Sequence, residues 1–377
     1  MLVTVIRYLP VSGRGRGRAF AVGWSTDAKG RKVHVRVVVV GATGNVGTSL
    51  LRTLGQDTDV ESILGLARRV PGSPFPKTSW AQADVTESDL AAHFRAADVV
   101  VHLAWLIQPS RSLGTLYNAN VVGSKRVFDA AGQAGVRALV YASSVGAYSP
   151  GPKMSAVNES WPTDGVPTSF YSRHKAEVER LLDAFENEHP EMRVVRLRPG
   201  LIFKRGAGAE VRRLFTGPLL PSAFLRRSLI PVVPDIQRLR FQCVHSHDAG
   251  EAYKLAVTKD VHGAFNIAAE PVLDPQRLAA LLQAAPVRTS PRLARALASA
   301  TWRLHLQPTP PGWLDLALQS PVMDTSKARQ ELGWVPKYTS EAALLDLLTG
   351  LRERAGVPTP PLERAAGGRI RSRELST

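Results

Sequence analysis

The chain has 377 residues, 44% apolar and 21% charged, with a formal net charge of +16. That length suits one large α/β domain with a smaller lobe, and the apolar share allows a sizeable core. No run of about 18 apolar residues occurs, which excludes a membrane-spanning helix, and the lone Cys243 excludes an internal disulfide and fits a reducing, cytoplasmic setting.

Much of the positive excess sits at the start. Residues 1–32 carry Arg7, Arg14, Arg16, Arg18, Lys29, Arg31 and Lys32 against Asp27 alone. This segment lacks the apolar stretch of a secretory signal and reads as a disordered basic extension. Elsewhere the basic residues are scattered rather than gathered in a stripe, which argues against a nucleic-acid partner.

The ordered pattern begins at Val33. Val35–Val40 is a β-branched run suited to a central parallel strand, Gly41–Gly47 a tight turn, and Val46, Leu50, Leu51 and Leu54 recur at helical spacing. A second strand is expected at Ile63–Ala67, a helix start at Thr86 and Asp89 with Leu90 and Phe94 buried, and a buried strand at Val99–Leu103. A helix over Leu113–Ala134, a strand at Ala138–Ala142, a helix over Phe170–Glu188 and a strand at Met192–Leu197 follow. This alternation predicts a doubly wound parallel sheet with ligands at the carboxyl ends of its strands. After Pro199 the rhythm breaks into a smaller, mostly helical lobe, with helical pieces at 279–305 and 324–348 and a returning strand at Ala264–Ala268. The expected organisation is therefore a dinucleotide-binding domain over 33–200, a substrate-binding lobe over 201–350 and a disordered tail over 351–377.

Gly41-Ala42-Thr43-Gly44-Asn45-Val46-Gly47 is a G-x-x-G-x-x-G turn between strand and helix. Gly41 permits the sharp exit, Gly44 lets backbone approach a pyrophosphate, and Gly47 lets the helix pack on the sheet. The helix N-terminus then presents free N–H groups and a positive dipole end to phosphate, so the turn predicts NAD or NADP. The second strand ends in Ala67-Arg68-Arg69 with no acidic residue for the ribose hydroxyls. Arg68 or Arg69 could instead pair with a 2′-phosphate, which favours NADP.

Of seven tyrosines, only Tyr171 has a lysine four residues on, Lys175. On a helix the two share a face. A nearby ammonium and a positively charged nicotinamide would bring a phenol toward the range useful for proton transfer. Ser143 and Ser144 end a predicted strand at the mouth of the cofactor site, where Ser144 could polarise a substrate oxygen and Ser143 reads as satisfying backbone.

Together with Asp84-Val85, Val101-His102-Leu103-Ala104, Asn120-Val121-Val122-Gly123, Ala142–Tyr148, Arg198-Pro199-Gly200 and Asp324–Trp334, these segments resemble, in family order, the extended short-chain dehydrogenase/reductase superfamily, NAD-dependent epimerase/dehydratase type. The resemblance implies a Rossmann-type fold. It implies Ser144, Tyr171 and Lys175 as catalytic residues. Asp84 and Val85 would face the adenine, Leu103 and Ala104 would line the cofactor, Asn120 would support the site, and Pro199 and Gly200 would border the nicotinamide. It also implies a homodimer through the helices at 113–134 and 170–188.

Two departures weigh against a nucleotide-sugar substrate. The segment Arg240–Asp248 keeps one of two acids expected by the resemblance, Asp248, and Phe203-Lys204 replaces a Tyr-Gly pair. A nucleotide sugar or related hydroxyl/carbonyl compound is the first expectation. An NADPH-dependent reductase acting on a small non-sugar carbonyl or alcohol is the alternative, and a non-catalytic NADP-binding regulator is a third reading. His245, His247 and Asp248 have no metal-ligand spacing, so no metal is expected. His102 reads as a hydrogen-bonded core residue. Trp105 and Trp161 are candidates for the substrate mouth, and Arg212, Arg213, Arg226 and Arg227 could hold an anionic group.

Overall fold

The computed structural model describes residues 34–108, 112–216, 231–307 and 309–364. The basic extension, Arg226 and Arg227 lie outside them.

The valine-rich strand β1 (Val35–Val40) is buried at every position except Arg36. Such a strand needs hydrogen-bonded neighbours on both edges and apolar cover on both faces. It pairs in parallel with β2 (Val60–Ala67) and β4 (Val99–His102). Edge strand β3 (Thr78–Gln82), β5 (Ala138–Ala142), β6 (Arg193–Pro199) and β7 (Gly263–Ile267) complete a seven-stranded parallel sheet in the order β7-β6-β5-β4-β1-β2-β3. The order reverses at β1, and there the sheet opens a crevice at its carboxyl edge. Strand β7 is the returning strand expected near 264–268. Strand β3 was not anticipated, because Thr-Ser-Trp-Ala-Gln carries no apolar alternation and packs only half-buried at the edge.

Helices α1 (Asn45–Gln56) and α6 (Ser246–Thr258) cover one face, packing Leu50, Leu51, Leu54, Ala252 and Tyr253 against alternate valines of the sheet. On the other face lie α2 (Leu90–Phe94), α4 (Gly123–Ala134) and α5 (Phe170–Glu188), which bury Phe94, Phe128, Val178 and Leu182. The single helix expected over 113–134 is divided: α3 (Leu113–Tyr117) runs into a π-helical turn, Asn118–Val122, before α4. Such a turn re-aims side chains by one extra residue and recurs at functional sites.

The smaller lobe holds the helices Pro275–Leu282, Pro291–Arg303, Gly312–Gln319 and α7 (Ser340–Glu353), with short parallel strand pairs Leu201–Phe203 with Cys243–His245 and Val232–Ile236 with Ala285–Thr289. The tail read as disordered from 351 is, as far as residue 364, folded back on the body. Thr359 and Leu362 are fully buried, and Thr359 Oγ1 donates to the carbonyl of Thr43 at 2.9 Å. Its proline-rich composition concealed a segment held by contacts distant in sequence. Among the described residues no helix is long and apolar enough to cross a membrane.

Two arginines, Arg196 and Arg198, point from central strand β6 into the interior, each about 5% exposed. Buried guanidinium groups require a buried acceptor. Glu179 of α5, fully buried, supplies it: Oε1 accepts from Arg198 Nε at 2.8 Å and from Ser143 Oγ at 2.5 Å, and Oε2 from Arg198 at 2.9 Å and Arg196 at 3.0 Å. Burial alone would raise the carboxyl's pKa, but the hydrogen bonds and charges of Arg198 and Arg196, with Ser143, hold it at about 2. Removing one partner of such a pair leaves uncompensated buried charge. Glu179→Ala is therefore expected to lose about 3–5 kcal/mol of stability by urea denaturation at neutral pH. Because the folded pKa lies below the unfolded value, the wild-type contribution is complete above about 4.5 and is lost as pH falls toward about 2. An unchanged denaturation midpoint in the variant would show that the clamp is dispensable.

Candidate active site

Every predicted segment of the cofactor turn falls at the carboxyl edge of the sheet. Gly41 leaves β1 with φ +85°, where a side chain is strained, and a Cβ there would lie 2.6 Å from the backbone nitrogen of Ala104. Its absence brings Leu103 and Ala104, which follow β4, against the turn. A Cβ on Gly47 would lie 2.5 Å from the carbonyl of Ala42, so glycine there sets how closely α1 packs on the sheet. Gly44 is different. A Cβ there would meet nothing nearer than the Gly41 carbonyl at 3.5 Å, so the fold itself leaves room for one. The space in front of Gly44 adjoins the N-terminus of α1, which no side chain caps and which holds no acid in its first turn. An open space facing uncapped N–H groups fits the diphosphate of a dinucleotide.

The turn is pinned from behind by the rest of the chain. Asn45 Nδ2 donates to the carbonyl of Ile202 at 3.0 Å, Thr43 receives Thr359, and Val46 packs on the core. Arg68 and Arg69 stand exposed after β2, and Arg68 lies near enough to Asp84 to favour its carboxylate. Asp84 turns its carboxylate onto Thr86, accepting from the backbone N–H at 2.9 Å and from Oγ1 at 2.6 Å, and the carbonyl of Val85 accepts from Arg126. Asn120, fully buried in the π-helical turn, spends both ends of its amide on the backbone of Leu106, at 2.7 and 2.9 Å. It shapes the loop after β4 from behind. Pro199 ends β6, and Gly200 is required by the approach of the Gln242 carbonyl, 2.5 Å from where its Cβ would be.

Ser144 follows β5 in extended backbone and accepts from the N–H of Gly146 at 3.0 Å, which leaves its hydroxyl hydrogen free to donate. Helix α5 begins at Phe170, capped by Ser169, so Tyr171 lies in its first turn and Lys175 one turn on. Burial raises the pKa of the Tyr171 hydroxyl, and a hydrogen bond from Ser144 draws it back down. Lys175, 3% exposed, donates to the carbonyl of Ala142 at 2.6 Å and lies 3.4 Å from the centre of the Trp105 ring. Burial depresses its pKa well below the usual lysine value, and Glu179 acts against that shift. A serine hydroxyl, a phenol and a buried lysine amine thus converge at the end of β5 and the start of α5, beside the turn at the end of β1. Ser143, read as a backbone partner, donates instead to Glu179.

Aromatic rings wall the phenol. Trp105 meets Tyr171 edge-on with ring centres 6.0 Å apart, and Trp313, from the smaller lobe, lies tilted over it at 5.1 Å, backed by Phe215 at 5.4 Å. The indole N–H groups of Trp105 and Trp313 are buried without a protein acceptor among the described residues. Trp161, the other candidate from sequence, packs beside Tyr148 and Met323 and donates to Ser149. Trp313 had no local signal, since a helix of the second lobe carries it. Glu179 had one: it lies four residues past Lys175 on the same buried face.

His102 is a core residue, its Nε2 2.9 Å from Ser124 Oγ, and burial, with Lys175, pushes its pKa down to about 3. His245 caps α6 and pairs with Asp346, while Asp248 accepts from Tyr338. Arg213 donates to the carbonyl of Pro361.

An uncharacterized protein of Mycobacterium tuberculosis is 27% identical over 328 residues, covering 86% of this chain; the chain spans about a third of that relative's length, 31%. A 3 beta-hydroxysteroid dehydrogenase/Delta 5→4-isomerase of the same organism is 25% identical, with 83% of this chain and 89% of that one covered. The UDP-glucose 4-epimerase of Thermotoga maritima, solved with UDP-glucose, shares the fold with a TM-score of 0.64 at 18% identity, over 85% of this chain and 99% of that one. Residues 37–268 match the family of NAD dependent epimerases and dehydratases, and the chain belongs to that enzyme family.

Proposed function

We propose that the protein is an NAD(P)-dependent oxidoreductase that interconverts a secondary alcohol and its ketone, with Tyr171 as acid/base. The observation that carries this reading is the convergence of Ser144, Tyr171 and Lys175 beside a glycine turn whose front is open to a diphosphate. The nicotinamide, when bound, accepts or returns the hydride. Tyr171 takes the proton from the substrate hydroxyl on oxidation and gives it to the carbonyl oxygen on reduction. Ser144 donates a hydrogen bond to the oxygen that gains charge. Lys175 places an ammonium one helical turn away, which favours the phenolate. In Tyr171→Phe, kcat is expected to fall by about 10²–10⁴ while cofactor affinity is kept; retained turnover would remove Tyr171 from the chemistry.

Trp105, Trp313 and Phe215 support an apolar alcohol or ketone as substrate. The steroid dehydrogenase relative, by its name, handles a compound of that kind. The nucleotide-sugar reading has support in the UDP-glucose held by the structural neighbour. A panel of 3-hydroxysteroids and UDP-hexoses, followed by the absorbance of reduced nicotinamide and by product analysis, separates the two. Turnover of the steroids, with KM raised about tenfold in Trp313→Ala, is expected; turnover of UDP-hexoses alone would reverse the assignment.

The exposed arginines after β2 support NADP. Fluorescence titration should show NADPH binding more tightly than NADH, with the preference lost in Arg68→Ala/Arg69→Ala. Equal binding of both cofactors to the wild type would remove that role from the arginines. The exposed apolar side chains Leu113, Tyr117 and Val122, with Tyr117 bonded to Glu177 of α5, support a homodimer through these helices.

A further inference from the structure

Lys204 is the second residue of the Phe203-Lys204 departure, and it is only 4% exposed. It turns back from the strand Leu201–Phe203 beneath the first turn of α1. There its Nζ donates to the carbonyl of Asn45 at 2.5 Å, to Thr48 Oγ1 at 2.7 Å and to Ser49 Oγ at 3.2 Å. Thr48 Oγ1 in turn donates to the carbonyl of Gly44, at the phosphate-facing glycine. All three ammonium donors are used, and every acceptor is neutral.

Among the described residues no carboxylate touches this buried cation. Among the described residues the charged and titratable groups facing it are Arg52 of α1, Glu210 of the helical turn Gly208–Val211 and His247 of α6. Arg52 opposes its charge. Burial pushes the pKa of Glu210 up to about 7 and that of His247 down to about 4, so near neutral pH the first is a partial counter-charge and the second is uncharged. A buried cation without a full counter-ion is costly. The position makes sense if the missing negative charge arrives with a ligand at the other end of the same helical turn.

We propose that Lys204 is a positioning residue for the cofactor's diphosphate, holding the glycine turn in shape and adding its charge to the N-terminal end of α1. This rests on the dinucleotide reading above. The charge acts across roughly one helical turn, about 5 Å of protein, where it strengthens the attraction of the helix end for an anion. Burial, with Arg52, lowers the free lysine's pKa to about 7. A nearby anion raises it, so binding takes up protons at pH values just above neutrality, and affinity falls as pH climbs through that range.

The test is calorimetric titration of NADH and NADPH at slightly alkaline pH in buffers of different ionisation enthalpy, with wild type, Lys204→Gln and Glu210→Gln. Wild type should bind with net proton uptake. Lys204→Gln should remain folded by circular dichroism, lose about tenfold in affinity for both cofactors and lose the uptake, while Glu210→Gln keeps it. Binding without proton uptake in the wild type, uptake that persists in Lys204→Gln, or unchanged affinity in that variant would overturn the proposal while leaving dinucleotide binding intact. Failure of wild type to bind either cofactor would instead remove the reading beneath it.

Discussion

The site depends on one buried carboxylate. Tyr171, Lys175 and Glu179 follow one another at helical spacing along α5, and Glu179 is fastened to Ser143 of the β5 end and to two arginines of β6. A helix packed on a sheet by apolar contacts alone can slide or roll by fractions of a turn at small cost. A carboxylate with four directed hydrogen bonds in the interior cannot, because any shift strands a buried charge. The anchor fixes the height and rotation at which α5 presents the phenol and ammonium above the strand ends. It also holds Ser143, and hence the backbone that carries Ser144. The interaction that stabilises the fold is therefore also the one that sets Ser144, Tyr171 and Lys175 relative to one another.

The cofactor side is built on a different logic. Its turn has little side-chain material of its own and is held by groups reaching in from far along the chain: Ile202, Ser246, Lys204 and Thr359 all bond to residues 43–49. The second lobe thus takes part in the cofactor turn itself. It supports the turn from behind while its Trp313 walls the phenol in front. The glycine turn and the surroundings of Tyr171 both lean on the smaller lobe, so a change there would be felt at both.

The parts of this arrangement that were legible in the sequence are those whose physics is local. Strand β1, the glycine turn and α1 are adjacent, and the Tyr171/Lys175 spacing is a property of one helix. The parallel sheet as far as β6 followed from alternation; the returning strand β7 was read separately, after that rhythm had broken. What stayed hidden depends on contacts distant in sequence. The wall formed by Trp313 and the packed segment after Gly356 have no local pattern, and proline-rich composition pointed the wrong way for the latter. Two signals were present without being used. Arg196 and Arg198 in an interior strand demand acids on the facing helix, and of the acids of α5 Glu179 is the fully buried one that meets both. Lys204, noticed as a departure, is a lysine among residues that fold inward.

Hydrogen exchange of the backbone with and without reduced cofactor reports where a dinucleotide lands on the sheet without requiring the substrate. A dinucleotide seated on the glycine turn should slow exchange over Gly41–Gly47, the ends of β2 and β4 and the start of α5, with β7 and the helix Pro291–Arg303 unaffected. Protection centred elsewhere, or none at saturating NADH and NADPH, would contradict that seating.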